Sequence, residues 1–304
     1  MIVNSAKKFG QSLQHMDLPA ASPASPKGVF MVEPDGFFVS RETARDNHYM
    51  DLANAADPER AVAQFQELVK LIRACGIEVH VFPGNHATPD AVFPNNAFGT
   101  IPGRLIIGEM LYPGRKKEAE REDISRFFQQ QGYSVVDLRQ HDCVAELTGV
   151  LILDRARMIG FCGMTHRVDE AGAAAMHDAF ELNLTFCFDL IADEYHTNVV
   201  MSVLAGRACV LHPEAFSDPD VPGAIAAAFP GRTLMLSAEE KNGFAGNCIA
   251  LTQSDLFMSQ AGADSLRPQT LATLESWGFK LRTVNLDELE KAGGSLRCMV
   301  AEIF

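Results

Sequence analysis

Five times along the chain an amphipathic helical segment ends near a Gly or Asn and runs directly into a short apolar strand, and this repeat constrains the fold more than any other feature. The strands are GIEVHVF from Gly76, GYSVVDL from Gly132, NLTFCFDL from Asn183, GRTLMLS from Gly231 and GFKLRTVNL from Gly278, which start 56, 51, 48 and 47 residues apart. Between them lie pairs of apolar runs broken by a polar turn: GVFMVEPDGFFVS, AVFPNNAFGTIPGRLIIGEM, GVLILDRARMIGFC, NVVMSVLAGRACVLH and CIALTQSDLFMSQ. Each pair reads as a hairpin. The repeating unit is therefore strand, strand, helix, strand, and helices this short bury themselves only against neighbours. A closed ring follows as the expectation, with strands inside and helices outside. The last apolar run, SLRCMVAEIF, has no helix after it and is expected to pair with the first hairpin and close the ring. A doubly wound α/β sheet also alternates strands and helices and competes on pattern alone. The stretch PAASPASPK from Pro19 marks residues 1–27 as a flexible lead-in to one domain over 28–304.

Composition excludes several functions. A formal charge of -13 repels nucleic acid and anionic membrane, and no local basic patch offsets it. No apolar run approaches the length of a membrane span, and Lys7, Lys8, Gln11 and Gln14 interrupt what would be a signal-peptide core. The seven cysteines include no C-x-x-C pair and the nine histidines no H-x-x-x-H, so neither a disulfide framework nor a metal site is expected. These features predict a metal-free, cofactor-free cytoplasmic protein with a small-molecule substrate. A homo-oligomer is left open.

In a ring of repeats, equivalent positions face one axial pocket. Asn95 and Asn96 fall in the second unit, Glu146 opens the third, His196 and Asn198 open the fourth, Asn242 and Asn247 lie in the fifth, and Cys298 sits in the terminal strand. A Cys, a His and a Glu converging from distant positions form the pattern of a thiol active site, since a thiolate needs a proton carrier and the carrier needs orienting. Each residue has a plainer reading. A lone Cys in a strand is usually an inert core thiol, a lone His a hydrogen-bonded structural one, a carboxylate before a strand a solvated end, and Asn-Asn a turn. Cys298 stands apart because it follows Gly293-Gly294-Ser295 and adjoins Arg297.

The segments DAVFPNNAF from Asp90, ELTG from Glu146, EYHTN from Glu194 and GGSLRCMVAEI from Gly293, in that order, resemble the guanidino-group-modifying superfamily, the pentein fold. That superfamily includes arginine deiminases, dimethylarginine hydrolases, amidinotransferases and succinylarginine dihydrolases. The chain most resembles the bacterial citrulline-utilisation or amidinotransferase-like branch, also at FFVSRETARDNHYMD. The resemblance implies an α/β fold with five ββαβ propeller blades, Cys298 as nucleophile, His196 as general acid and base, and Glu146 as substrate-binding or histidine-orienting carboxylate. Asn95, Asn96, Asn198 and Arg297 are candidate substrate contacts, while the group that binds a substrate carboxylate is not identified by the sequence, Arg41, Arg45 and Arg297 being unranked candidates. Asn96 and Asn198 stand where deiminases commonly have Asp, and Leu147 where many relatives have Gly. With Glu146 as the only clear carboxylate, a neutral ureido group fits better than a guanidinium, so citrulline is the expected substrate. Arginine deiminase, dihydrolase or methylarginine hydrolase is the alternative, ahead of an amidinotransferase or a non-catalytic binding module.

Overall fold

The structure, a computed structural model, describes residues 1–16 and 24–304. The strands are β1 (Ile2–Val3), β2 (Gly28–Val32), β3 (Glu78–Phe82), β4 (Phe98–Ile101), β5 (Arg104–Ile107), β6 (Ser134–Asp137), β7 (Leu151–Asp154) and β8 (Ile159–Met164). They continue with β9 (Leu184–Asp189), β10 (Met201–Leu204), β11 (Ala208–Leu211), β12 (Thr233–Met235), β13 (Ile249–Ala250), β14 (Asp255–Ser259), β15 (Lys280–Val284) and β16 (Ala301–Ile303). They form five small sheets, and in each an antiparallel pair is extended by a third strand that runs parallel to the middle one. A parallel neighbour requires a crossover, and the helices supply it. Pro58–Ala74 links β2 to β3. Its N-terminus is fixed by Asp57, which accepts from the backbone N–H groups of Glu59 and Arg60, and its apolar stripe of Ala61, Phe65, Leu68 and Ile72 is buried. Gly76, at φ +80°, then turns the chain into β3, a conformation that side-chain-bearing residues resist.

The five expected third strands and four of the five hairpins are present. The first hairpin is not: after β2 the chain leaves the sheet, and the antiparallel partner of β2 is β16, with Ala301 opposite Phe30 and Ile303 opposite Gly28. The Pro34-Asp35-Gly36 turn expected between two strands opens a long loop instead. First strands of adjacent units lie against each other, β16 against β4, β7 against β10 and β10 against β13. No helix among the described residues is long and apolar enough to cross a membrane.

The lead-in is corrected over residues 1–16, while 17–23 lie outside the described residues. β1 adds a fourth, parallel strand to β9, and helix Ala6–His15, capped by Ser5, packs Phe9 into the core. The Phe9 ring stacks on Phe186 at 4.6 Å and meets Phe161 edge-on at 5.8 Å. Phe9→Ala is therefore expected to cost about 3–5 kcal/mol, read as a lowered urea midpoint. A loss within about 1 kcal/mol would show that this segment contributes little.

Candidate active site

A single helical turn precedes the first strand of four of the sheets: Pro94–Asn96 before β4, Leu147–Val150 before β7, Thr197–Val200 before β10 and Leu296–Met299 before β16. Glu146 and His196 occupy the same N-cap position of equivalent turns, and Cys298 lies within the last. These turns carry the site. Gly149 leaves room for the imidazole, since a Cβ there would stand 2.8 Å from the His196 ring. Leu147 has φ +21°, a strained value that explains a preference for Gly after the Glu.

Glu146, expected as either a functional group or a solvated strand end, is fully buried. Its Oε2 accepts from His196 Nε2 at 2.9 Å and from Arg167 Nη1 at 3.0 Å, and Oε1 accepts from the backbone N–H of Leu111 at 3.2 Å. Burial would raise the Glu146 pKa, but Arg167 and His196 outweigh it and hold the carboxyl well below the usual range. An ionised carboxylate only accepts, so His196 donates through Nε2. Its Nδ1 then accepts from the Asn96 amide at 3.2 Å. Burial, with Arg167 and Arg115 nearby, outweighs the pull of Glu146 and lowers the His196 pKa, so the ring is a neutral base at pH 7. Arg167 is itself fixed by Asp46, whose two oxygens accept at 2.7 Å each.

Cys298 is buried, not open to solvent, with Sγ 3.3 Å from Asn247 Nδ2 and 3.4 Å from Asn198 Nδ2. Burial raises its pKa, and Asn247 and Arg297 partly offset that. On its free side lies a small cavity lined by Cys298, Asn96, Asp90, Arg115, Arg167 and Tyr195, and covered by Thr43 and Asn47 of the loop after β2. The nucleophile and the partner of His196 thus face the same space. Asp90 Oδ2 accepts from Thr43 Oγ1 at 3.0 Å, whereas its buried Oδ1 has no partner, as is true of Asn96 Oδ1. Burial raises the Asp90 pKa against Arg115 and Thr43. Two orphaned acceptors in a closed space are poised for a ligand rich in N–H groups.

Other expected contacts fall elsewhere. Asn95 bonds Thr148 Oγ1 at 3.2 Å and does not line the cavity. Asn198 holds the sulfur and does not line it either. Arg297 turns away: Nη1 donates to the Val300 carbonyl at 2.9 Å and Nη2 to Glu302 at 3.2 Å. On a one-turn helix, successive residues point about 100° apart, so Arg297 and Cys298 face different ways. Arg41 and Arg45 are exposed and do not line the cavity. Its arginines are instead Arg115, bonded to Glu118 at 2.6 Å, and Arg167. Asp90 opens the DAVFPNNAF segment but is not singled out there, and Arg115 and Arg167 lie in connections that no repeat phase marks.

The sequence pattern of the family described as N,N dimethylarginine dimethylhydrolase, eukaryotic, matches residues 33–304. The bifunctional arginine dihydrolase/ornithine cyclodeaminase ArgZ of Synechocystis sp. is 25% identical over 245 residues, 81% of this chain and 33% of its own length. The chain spans about a third of the first curated relatives it matches. The N(G),N(G)-dimethylarginine dimethylaminohydrolase of Mycobacterium tuberculosis is 24% identical over 90% of this chain and 85% of its own. A crystal structure of the ArgZ N-terminal domain bound to product superposes with a TM-score of 0.80 at 23% identity, covering 91% of this chain and 97% of that one.

Proposed function

Because the chain belongs to the dimethylarginine dimethylhydrolase family, within the guanidino-group-modifying superfamily, we propose that it is a cysteine hydrolase of a guanidino amino acid, with arginine its first substrate. The observation that carries this is the unpartnered Asp90 carboxylate oxygen in the cavity that holds Cys298. The preference for a neutral ureido group rested on counting Glu146 alone. Asp90 supplies a second carboxylate at the substrate itself, and an incoming guanidinium both satisfies it and favours its ionised form. Citrulline therefore yields to the guanidino alternative. Arg115 and Arg167, which also line the cavity, are the cations there for a substrate α-carboxylate.

In this reading His196 Nδ1 takes the Cys298 thiol proton, the thiolate adds to the guanidinium carbon, and Nδ1 passes that proton to the departing ammonia while Glu146 holds Nε2–H. Neutral His196 then takes a proton from water. The hydroxide adds to the S-linked amidino carbon, and the thiolate leaves with release of citrulline. A second round at the ureido carbon, again with loss of ammonia and addition of water, yields a carbamate that decomposes to ornithine and carbon dioxide. Asn96 suits both rounds, because its amide has one donor and one acceptor end. ArgZ, described as an arginine dihydrolase, is the relative that favours this two-step course over methylarginine hydrolysis. We also read the five sheets as blades of one ring, supported by the β16–β2 pairing and the contacts between first strands.

The test is an assay of purified protein with arginine, dimethylarginine and citrulline, scoring ammonia, citrulline, ornithine and dimethylamine. Arginine is expected to exceed citrulline at least tenfold in kcat/KM, about 1.4 kcal/mol in transition-state terms. Asp90→Asn is expected to erase most of that margin. A wild-type preference for citrulline, or a margin untouched by Asp90→Asn, would refute the charge assignment. Dimethylamine as the main product would instead make methylated arginine the substrate.

A further inference from the structure

Behind the nucleophile, away from the cavity, Asn247 makes three contacts whose polarity is settled by the backbone. Its Oδ1 accepts from the Arg297 N–H at 3.0 Å, and its Nδ2 donates to the Asn198 carbonyl at 2.8 Å. A backbone N–H cannot accept and a carbonyl cannot donate, so the amide has one orientation only. The same Nδ2 lies 3.3 Å from Cys298 Sγ, and it faces that sulfur as an obligate donor. Asn198 is different. Both ends of its amide approach the sulfur, Nδ2 at 3.4 Å and Oδ1 at 3.6 Å, so it can accept a hydrogen bond from the thiol or donate one to the thiolate.

We propose that Asn247 is a further catalytic residue of the reaction above, donating to Cys298 Sγ whenever that sulfur carries negative charge, with Asn198 as its switchable second donor. The inference rests on Cys298 being the nucleophile. It adds a donor that acts on the attacking thiolate and again on the thiolate that departs when water has added. Asn247 is fully buried and does not line the cavity, so it reaches the reaction through sulfur alone and does not select the substrate. Its setting also explains the GFAGNCIAL segment. Gly246 sits where a Cβ would stand 2.4 Å from the Val199 carbonyl, and this close approach lets the next residue bridge the turn after His196 to the one that bears Cys298. Because Asn247 ties both turns together, a purely structural role is the alternative to exclude.

Alkylation of Cys298 by iodoacetamide across pH, followed by mass spectrometry of its peptide in the whole protein, excludes it. This reaction needs no substrate. Asn247→Ala is expected to move the midpoint up by at least one pH unit, slowing neutral-pH alkylation about tenfold. Asn247→Asp, which turns an acceptor toward the sulfur, should move it further. In both, kcat should fall about ten- to a hundredfold with KM within twofold. A folded Asn247→Ala protein with an unchanged midpoint overturns the proposal, whatever its activity. If the Asn247 variants do not fold, Asn198→Asp decides: a raised midpoint supports a donor cradle and an unchanged one overturns it. Failure of the nucleophile assignment appears separately, as turnover that survives Cys298→Ala.

Discussion

Cys298→Ala is expected to abolish turnover, by on the order of 10⁴-fold or more in kcat, while the protein stays folded. The size follows from the route: without the sulfur, water must attack a resonance-stabilised carbon directly, with only Asp90, Asn96 and the His196–Glu146 pair to assist. The cost in stability is small because the cavity side of Sγ is already empty space and Asn247 keeps its bond to the Asn198 carbonyl. It is expected within about 2 kcal/mol, covering the lost packing and the sulfur's hydrogen bonds. Acid quenching of the wild type during turnover should trap a mass increment on the peptide carrying Cys298, absent from the variant. Normal turnover in a folded Cys298→Ala protein would end the covalent mechanism, and a trapped adduct on another cysteine would move it.

Much of the architecture was legible because the repeat is local. The helix Pro58–Ala74 carries its own cap, stripe and terminal turn in Asp57, Phe65 and Gly76, and each third strand follows its helix within a few residues. The first hairpin failed for the opposite reason. The partner of β2 is β16, at the far end of the chain, and the apolar run after Gly36 merely imitated a local one. Only the terminal run SLRCMVAEIF pointed to the true pairing. At the other end, Phe9 and Leu13 are the large apolar residues of an otherwise polar helix, and the burial of Phe9 depends on Phe161 and Phe186, which periodicity does not see.

The same distinction divides the site. Glu146, His196, Asn96 and Cys298 were found because each lies in the turn before a first strand, so one reading of the repeat's phase brings them together. Asp90 sits just ahead of such a turn, and Arg167 comes from the connection after β8, so neither shares that phase. Their omission had a chemical consequence. Leaving out Asp90 made the cavity look neutral at the reacting end and turned the substrate expectation toward citrulline.

Glu146→Gln tests how the buried network holds the base. Glu146 accepts from three different donors, the Leu111 N–H, Arg167 and His196, and a carboxamide has only one oxygen to serve them. Whichever way the introduced carboxamide turns, its NH₂ faces a donor. If it faces His196, Nε2 must become the acceptor and the ring proton moves to Nδ1, the nitrogen that should receive a proton from water. If it faces Leu111, a backbone N–H loses its acceptor, and in both orientations the buried Arg167 guanidinium loses half its counter-charge, Asp46 remaining as the other half. Either arrangement is expected to lower kcat about 10³–10⁴-fold, as loss of an orienting carboxylate does in histidine-based sites, with KM little changed. Removing one partner of so buried a pair also costs about 3–5 kcal/mol at neutral pH. That cost should depend on pH in a definite direction. The folded-state pKa of Glu146 lies below its ordinary value of 4.5, so its contribution is fully present above pH 4.5 and is lost as pH falls toward the folded value. Urea unfolding of wild type and variant should therefore differ most at pH 7 and converge below pH 4.5. A gap that stays constant across this range would mean that packing at Glu146, rather than its charge, holds the site together.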